Sequence, residues 1–434
     1  MSIRILRPVK NSLTICRLCK NAHRTTLNVR DSSVKCRWRR YYTVESNSRA
    51  DDGGPVLKVL GIETSCDDTG AAVVDSRGNI LGECLHSQNK AHLQHGGIIP
   101  SLAKRYHQVN IHRVVQTALQ QAKLDLKDVD AIATTVKPGL TLCLQVGLDY
   151  TKYLVQQSRR PFLPIHHMEA HALTVRLIDK VEFPFLVLLV SGGHCLLLLA
   201  RDVDDFLLLG KNLDDAPGEA FDKTARSLKL KLLPDCEDLS GGRAIEMLAT
   251  SGNPRAYDIP IVLAQAQNCD FSFSGLKASY KSKIEAEERR LNLAQHELIT
   301  NVSDVCASFQ YAVLHHLAKR VQRALIYCEM NDYLPQTGKQ LVVSGGVASN
   351  MFIRGGLSKM CEAYDCQLVC PPPSLCTDNG IMIAWNGIEK LRLNREKYLS
   401  DVEMVEVEHR SPIGVDIRHD VESSCIKLKT VRLL

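Results

Sequence analysis

The chain has 434 residues, 45% of them hydrophobic, and a formal charge of +6, which suits a protein of two or three domains with a large core. Residues 1–42 hold eight Arg, three Lys and one acid, Asp31, a local +10 that leaves −4 for the rest. A mildly acidic body excludes bulk attraction to a polyanion, so a nucleic-acid partner needs a local basic patch. No run approaches the ~18 apolar residues of a membrane span, and no membrane association is expected.

The first 42 residues are basic, contain several Ser and Thr, and lack a long apolar core. They read as a mitochondrial transit peptide processed near "RRYYT", with a linker over 43–55 and a soluble matrix product. The sixteen cysteines lie among apolar neighbours, as at Cys143, Cys195, Cys306 and Cys328, and the C-x-x-C at Cys16 and Cys19 falls in the leader. Reduced core thiols are therefore expected rather than disulfides or a zinc ribbon.

"VLKVLGIETSCDDTGAAVVDSRGNILGECLHS" predicts three strands with turns at "SCDDTG" and "SRGN". A helix over 102–122, a strand over 130–136, a helix over 141–157 after "KPG" and the strand "PFLPI" complete a βββαβαβ lobe over 56–175. The plan restarts over 183–210 with apolar strands around a Ser-Gly-Gly turn. It continues through helices, including a long one over 294–330, then a β-turn-α unit at "QLVVSGGVASN" and a strand at "CQLVC". This gives a second lobe over 176–376, a final helix over 377–395 returning toward the first lobe, and a tail over 396–434 of no readable role. The repeated order predicts an α/β fold of two duplicated RNase H-like lobes around a central cleft, as in actin, sugar kinases and heat-shock ATPases. Hairpin amides there can hold phosphate without a Lys loop, and no G-x-x-x-x-G-K-[ST] occurs.

"HHMEAH" follows the strand "PFLPI". His167 and His171, four apart on a helix, share a face and can grip one ion. Glu169 lies two residues from each, about 200° round the helix, so neither H-E-x-x-H nor H-x-x-E-H peptidase geometry is available. A carboxylate must arrive from elsewhere, and Asp378 in "PPPSLCTDNG" is the best candidate. Asp67 and Asp68 in the first hairpin turn are either solvated caps or, facing a metal, a general base or water holder. "LVSGGH" and "VVSGGVASN" each put Ser-Gly-Gly after a buried strand, where Gly lets amides approach a ligand or satisfies a tight turn. In "DDAPGEAFDKTA", Asp222 either reaches a ribose or caps and pairs with Lys223; "SGGRAIE" adds a Gly pair with Glu246 one turn on, and "FSFSGLK" reads as a packed turn into a helix.

The ordered segments "GIETSCDDTGAAVVD", "HHMEAH", "LLVSGGH", "GEAFDKTA", "FSFSGLK", "SGGVASN" and "CTDNGIMIAW" resemble the universal tRNA threonylcarbamoyladenosine transferase family, formerly called O-sialoglycoprotein endopeptidase, in its mitochondrial branch. The resemblance implies transfer of threonylcarbamoyl from threonylcarbamoyl-AMP, supplied by a separate synthase, to N6 of adenosine 37 in mitochondrial tRNAs reading ANN codons. It further implies one divalent ion (Zn, Fe or Mg) on His167, His171 and Asp378. The adenylate would lie on Leu189, Val190, Ser191, Gly192, Gly193, Asp222, Gly242, Glu246, Ser349 and Asn350, with Asp67 and Asp68 as acid/base or amine-positioning groups. Bacterial members carry Glu in place of Asp68 and "GPG" in place of "KPG". The spacing from Asp222 to Gly242 is longer than in bacterial forms. Mitochondrial members act as homodimers. The tRNA patches expected are "KTARSLKLK" and "HHLAKRVQR", each otherwise a solvated helix face. An actin-fold small-molecule kinase or ATPase is the alternative, but it leaves the His pair idle; a scaffold with a decayed cleft is a third reading.

Overall fold

The computed structural model describes residues 55–434 apart from Gly96, Ile261 and Gln295; the leader and most of the linker lie outside the described residues. Three strands open the chain, β1 (Lys58–Glu63), β2 (Asp68–Asp75) and β3 (Ile80–Ser87). Short turns join them, so they pair antiparallel. Helix α1 (Pro100–Ala122), strand β4 (Ala131–Lys137), helix α2 (Thr141–Ser158) and strand β5 (Phe162–His166) follow. The helical crossovers make β4 and β5 parallel to β1. The sheet order is β3-β2-β1-β4-β5.

After helix α3 (His167–Leu173) the plan repeats with β6 (Phe185–Val190), β7 (Cys195–Ala200) and β8 (Phe206–Lys211). Helices α4 (Pro217–Ser227), α5 (Gly241–Ala249), α6 (Ser274–Leu291) and α7 (Val302–Met330) precede β9 (Lys339–Ser344), α8 (Met351–Glu362) and β10 (Cys366–Val369). Read from its third strand, the second sheet runs β8-β7-β6-β9-β10 with the same parallel and antiparallel senses. The predicted duplication of RNase H-like lobes is thus present in the hydrogen-bonding topology, where sequence identity shows none.

One face of the first sheet carries α1 and α2 through Ile111, Val114, Val115, Ala118 and Leu154. The other carries helix α9 (Gly380–Tyr398) through Ile381, Ile383, Ala384, Trp385 and Ile388. Helix α3 is wedged between the sheets, with Ala170 in the core of the first lobe and Met168, Ala172 and Leu173 in that of the second. Burial on both sides is what fixes this two-turn helix, too short to be stable alone.

Two expectations are corrected. The long helix starts at Val302, not near 294, because Glu297 closes a local turn by accepting the Ala294 amide at 2.8 Å. "HHLAKRVQR" is no solvated face: His316, Arg320 and Arg323 are buried. Arg320 donates to the carbonyls of Leu263, Ala266 and Asn268, Arg323 donates to Asn268, and a neutral His316 accepts the Ser272 amide, so these side chains hold a loop rather than a polyanion.

The tail returns to both lobes. Ser400 bridges to Phe162, Val402 packs with Val136 and Phe162, and the Glu408 amide donates to the Val136 carbonyl. Strand β11 (Val415–Asp416) then extends the second sheet beside β8, and Ile426 and Leu433 enter the second core. Among the described residues ten cysteines are buried and all thirteen are free, and no helix is long and apolar enough to cross a membrane.

Candidate metal centre

Strand β5 passes directly into α3, where His166 caps the helix by accepting the Met168 amide at 3.2 Å. The helix turns His167 and His171 to one face, their ring centroids 4.7 Å apart and nearly perpendicular. Glu169 faces elsewhere and pairs with Lys390 at 2.8 Å. The third group comes from 207 residues away. Asp378 Oδ1 stands 3.0 Å from His171 Nε2 and 3.5 Å from His167 Nε2. Asn379 starts α9 by accepting the Met382 amide, and Gly380 and Gly61 bring that helix into backbone contact with the first sheet, leaving no room for a Cβ at either position.

His167, His171 and Asp378 each offer one ligand atom within 4.8 Å of the others. Atoms bound to one ion at about 2.0–2.2 Å stand roughly 3–3.6 Å apart, the spacing of the two His–Asp contacts here. Two imidazoles and one carboxylate leave positions open and suit a borderline divalent ion. Burial disfavours a charged His167, but the carboxylates of Glu63 and Asp378 outweigh it and raise the ring to about 9. Burial likewise works against a charged Asp378, yet His167 and His171 hold it well below the usual carboxylate range.

Glu63, at the end of β1, went unnoticed in the sequence. It is fully buried and lies 3.1 Å from His167 Nδ1. An acid ending an otherwise apolar buried strand was the signal available. On the neighbouring turn, burial and the charge of Asp378 raise Asp67, while burial and Asp67 push Asp68 up to about 8. Both acids therefore belong to the electrostatic environment of the His–His–Asp cluster.

Across from this turn, Leu189 and Val190 have core side chains, so only their main chain can meet a ligand. Beyond them Gly192 and Gly193 are exposed with open space where a Cβ would stand. His194 ends this turn and is solvent-exposed; the surrounding protein and then the charges of His167 and His171 lower its imidazole, which places the turn beside the His–His–Asp cluster. Gly218 at the start of α4 packs on Ser191 and Gly192, and Gly345 packs on Val190 with φ +102°, a left-handed conformation suited to glycine. Asp222 does not pair with Lys223, which is taken by Asp215 and Glu219; it meets the amides of Gly241 and Gly242 at the start of α5. Glu246 pairs with Arg243 and accepts the Met351 amide at 2.8 Å. Asn350 caps α8 by accepting the Ile353 amide and donates to Gln310, beside the half-buried Ser349. The two Ser-Gly-Gly turns and the starts of α4, α5 and α8 thus meet at one end of the second sheet. "FSFSGLK" is tied to the same region by Asp214, which accepts from Ser272 Oγ, Phe273 N, Ser274 N and Ser274 Oγ at 2.5–3.2 Å.

The duplicated sheet order defines the two-lobed fold of the actin and sugar-kinase class. The family model described as "TsaD: tRNA N6-adenosine threonylcarbamoyltransferase" matches residues 79–385. The mitochondrial enzyme of that name from Homo sapiens is 52% identical over 375 residues, 86% of this chain and 90% of the relative. The Danio rerio one is 50% identical over 86% and 93%. A bacterial tRNA N6-adenosine threonylcarbamoyltransferase from Rhizobium johnstonii is 43% identical over 78% and 90%. The chain belongs to the tRNA N6-adenosine threonylcarbamoyltransferase family, and it is of the mitochondrial kind.

Proposed function

We propose that this transferase holds threonylcarbamoyl-AMP between its lobes and passes the threonylcarbamoyl group to the N6 amine of adenosine 37 in mitochondrial tRNAs reading ANN codons. The observation that supports this best is the convergence of His167, His171 and Asp378 between the two sheets, beside an acidic turn from one lobe and glycine turns from the other. A divalent ion on those three residues would supply Lewis acidity toward the acyl carbonyl; two imidazoles and a carboxylate favour zinc or iron over magnesium, a hard ion that prefers oxygen ligands. The exposed turn at Gly192 and Gly193 offers a backbone donor to phosphate through the Gly192 amide, and the carboxylates of Asp222 and Glu246 can accept from ribose hydroxyls. In the transfer, the amine nitrogen forms a bond to the carbamoyl carbon, the bond from that carbon to the phosphate oxygen breaks, and AMP leaves with the electron pair. The amine must also lose a proton. Asp67 and Asp68 are the candidates to take it or to orient the amine; burial and the Asp67 charge push Asp68 up to about 8, which makes it a stronger base than an ordinary carboxylate when ionised.

The donor comes from a separate synthase, and the chain works as a homodimer in the mitochondrial matrix after removal of residues 1–42. Residues 56–175 and 176–376 act as the lobes and 377–395 as the segment that brings Asp378, just ahead of α9, back to the first. The tRNA contact on this face would include Arg226 and Lys231 of "KTARSLKLK", both exposed. Lys223 and Lys229 of that segment are paired with acids and contribute less.

The test is nucleoside mass spectrometry of tRNA incubated with threonylcarbamoyl-AMP and the protein lacking its leader, alongside Asp378→Asn. Modified adenosine should form with the wild type and collapse at least a hundredfold in the variant. A folded, metal-loaded wild type that forms none would refute the reading.

A further inference from the structure

The reading above gives no task to Glu63. Its carboxylate has no accessible surface, and a charge in such a place needs strong compensation. Two donors are fixed: the Ser65 amide at 2.5 Å on Oε1, and Thr135 Oγ1 at 2.6 Å on Oε2. The third neighbour is His167 Nδ1, 3.1 Å from Oε2, with Ser65 Oγ at 3.2 Å from the same nitrogen. An ionised carboxylate can only accept, so the proton of this contact sits on Nδ1.

We propose that Glu63 is a positioning residue for the metal centre: by accepting the Nδ1–H of His167 it fixes the ring's tautomer and plane and leaves Nε2 aimed at Asp378 and the ion. This rests on the reading of His167, His171 and Asp378 as the metal-holding set. Outer carboxylates that hold a ligating imidazole act in this way in general. The two imidazoles here are not equivalent. His171 Nδ1 is buried with no hydrogen-bond partner among the described residues, so its ring is steered only from the Asp378 side, whereas His167 is clamped from both. Thr135 extends the clamp to β4, and Ser65 extends it to the turn that carries Asp67 and Asp68. The acidic turn and the metal ligand therefore share one support.

The chemistry of a Glu63→Gln change follows from its donors. The Ser65 amide needs the glutamine carbonyl, which turns the glutamine NH2 toward Thr135 and His167. That NH2 must donate to Nδ1, which forces the proton onto Nε2 and blocks the lone pair an ion would use.

The experiment is zinc binding to the purified full chain, by competition with a chromophoric chelator. Glu63→Gln should weaken the affinity about 10–100-fold, and Thr135→Val, which removes one donor but keeps the shape, should weaken it less. In the zinc-loaded wild type, 15N spectra should show His167 protonated at Nδ1 and zinc-bound through Nε2. A purely structural Glu63 would lower stability without moving that proton. A Glu63→Gln protein that binds zinc within about threefold of wild type overturns this inference alone. If that variant fails to fold, the wild-type spectrum decides, and a His167 proton on Nε2 overturns it. A folded wild type that takes up no zinc overturns the metal reading and this inference together.

Discussion

Gly61 in the first strand and Gly380 at the start of the last long helix lie in backbone contact: a Cβ on Gly61 would overlap the Gly380 carbonyl and the Ala384 amide. That contact sets the distance from the first sheet to Asp378, two residues before Gly380. Gly61→Ala should therefore do two things. Overpacking should cost about 1–3 kcal/mol in a denaturant melt, and displacement of Asp378 should weaken zinc binding. Loss of stability with unchanged zinc affinity would show that the helix does not position the ligand.

His171→Ala removes one of the three proposed ligand atoms but leaves the helix, whose Met168, Ala172 and Leu173 are core residues. The variant should keep its far-ultraviolet circular dichroism and lose most bound metal, measured by plasma mass spectrometry. Wild-type metal content in the variant would remove His171 from the site.

Without an ion, His167 holds its proton up to about 9, and an imidazole must lose that proton to bind metal. Zinc affinity should accordingly rise with pH, approaching about tenfold per unit for one displaced proton, and level off as pH passes about 9. Calorimetry in two buffers of different ionisation enthalpy should read the release of that proton. A pH-independent affinity between 6 and 8 would contradict it.

Asp68 titrates near 8 in the folded chain against 3.8 for the ordinary side chain. Between those values the native state binds more protons than the unfolded one. The stabilising contribution is therefore complete below 3.8 and is lost as pH rises through about 8. Asp68→Asn should flatten this fall, giving a higher Tm than wild type at pH 8 and little difference at pH 4, while transfer activity drops. A lower Tm at pH 8 would show that the charge is compensated.

Asp214 accepts four hydrogen bonds from Ser272, Phe273 and Ser274. Asp214→Ala leaves these donors unmatched and should cost about 1–3 kcal/mol. Chemical denaturation reads the loss directly.

Much of this arrangement was legible in the sequence. The repeated βββαβαβ order survives because strand and helix periodicities are local properties, and the i, i+4 pair of histidines needs only a helix to share a face. The grouping of His171 with Asp378 was readable as a need for a third ligand. Its distance was not, because it depends on two glycine contacts between segments more than 300 residues apart. Glu63 was passed over for a related reason: as the last residue of a strand it looks like an ordinary polar terminus, and only the tertiary position of His167 and Thr135 makes it a buried acceptor. The patch containing Arg320 and Arg323 misled because a string of cations along a helix carries no record of the loop carbonyls that cover it.

The return of α9 and the tail to the first lobe bears on how the molecule is assembled. Residues 56–166 hold every strand of the first sheet, yet one face of that sheet is covered by Ile381 to Ile388, and the end of β4 is bound by residue 408. A chain that enters its compartment N-terminus first must therefore keep this sheet half-dressed until its last eighth arrives. The earliest part to emerge is thus sealed only near the end, and during that interval its bare apolar face is a natural client for a chaperone.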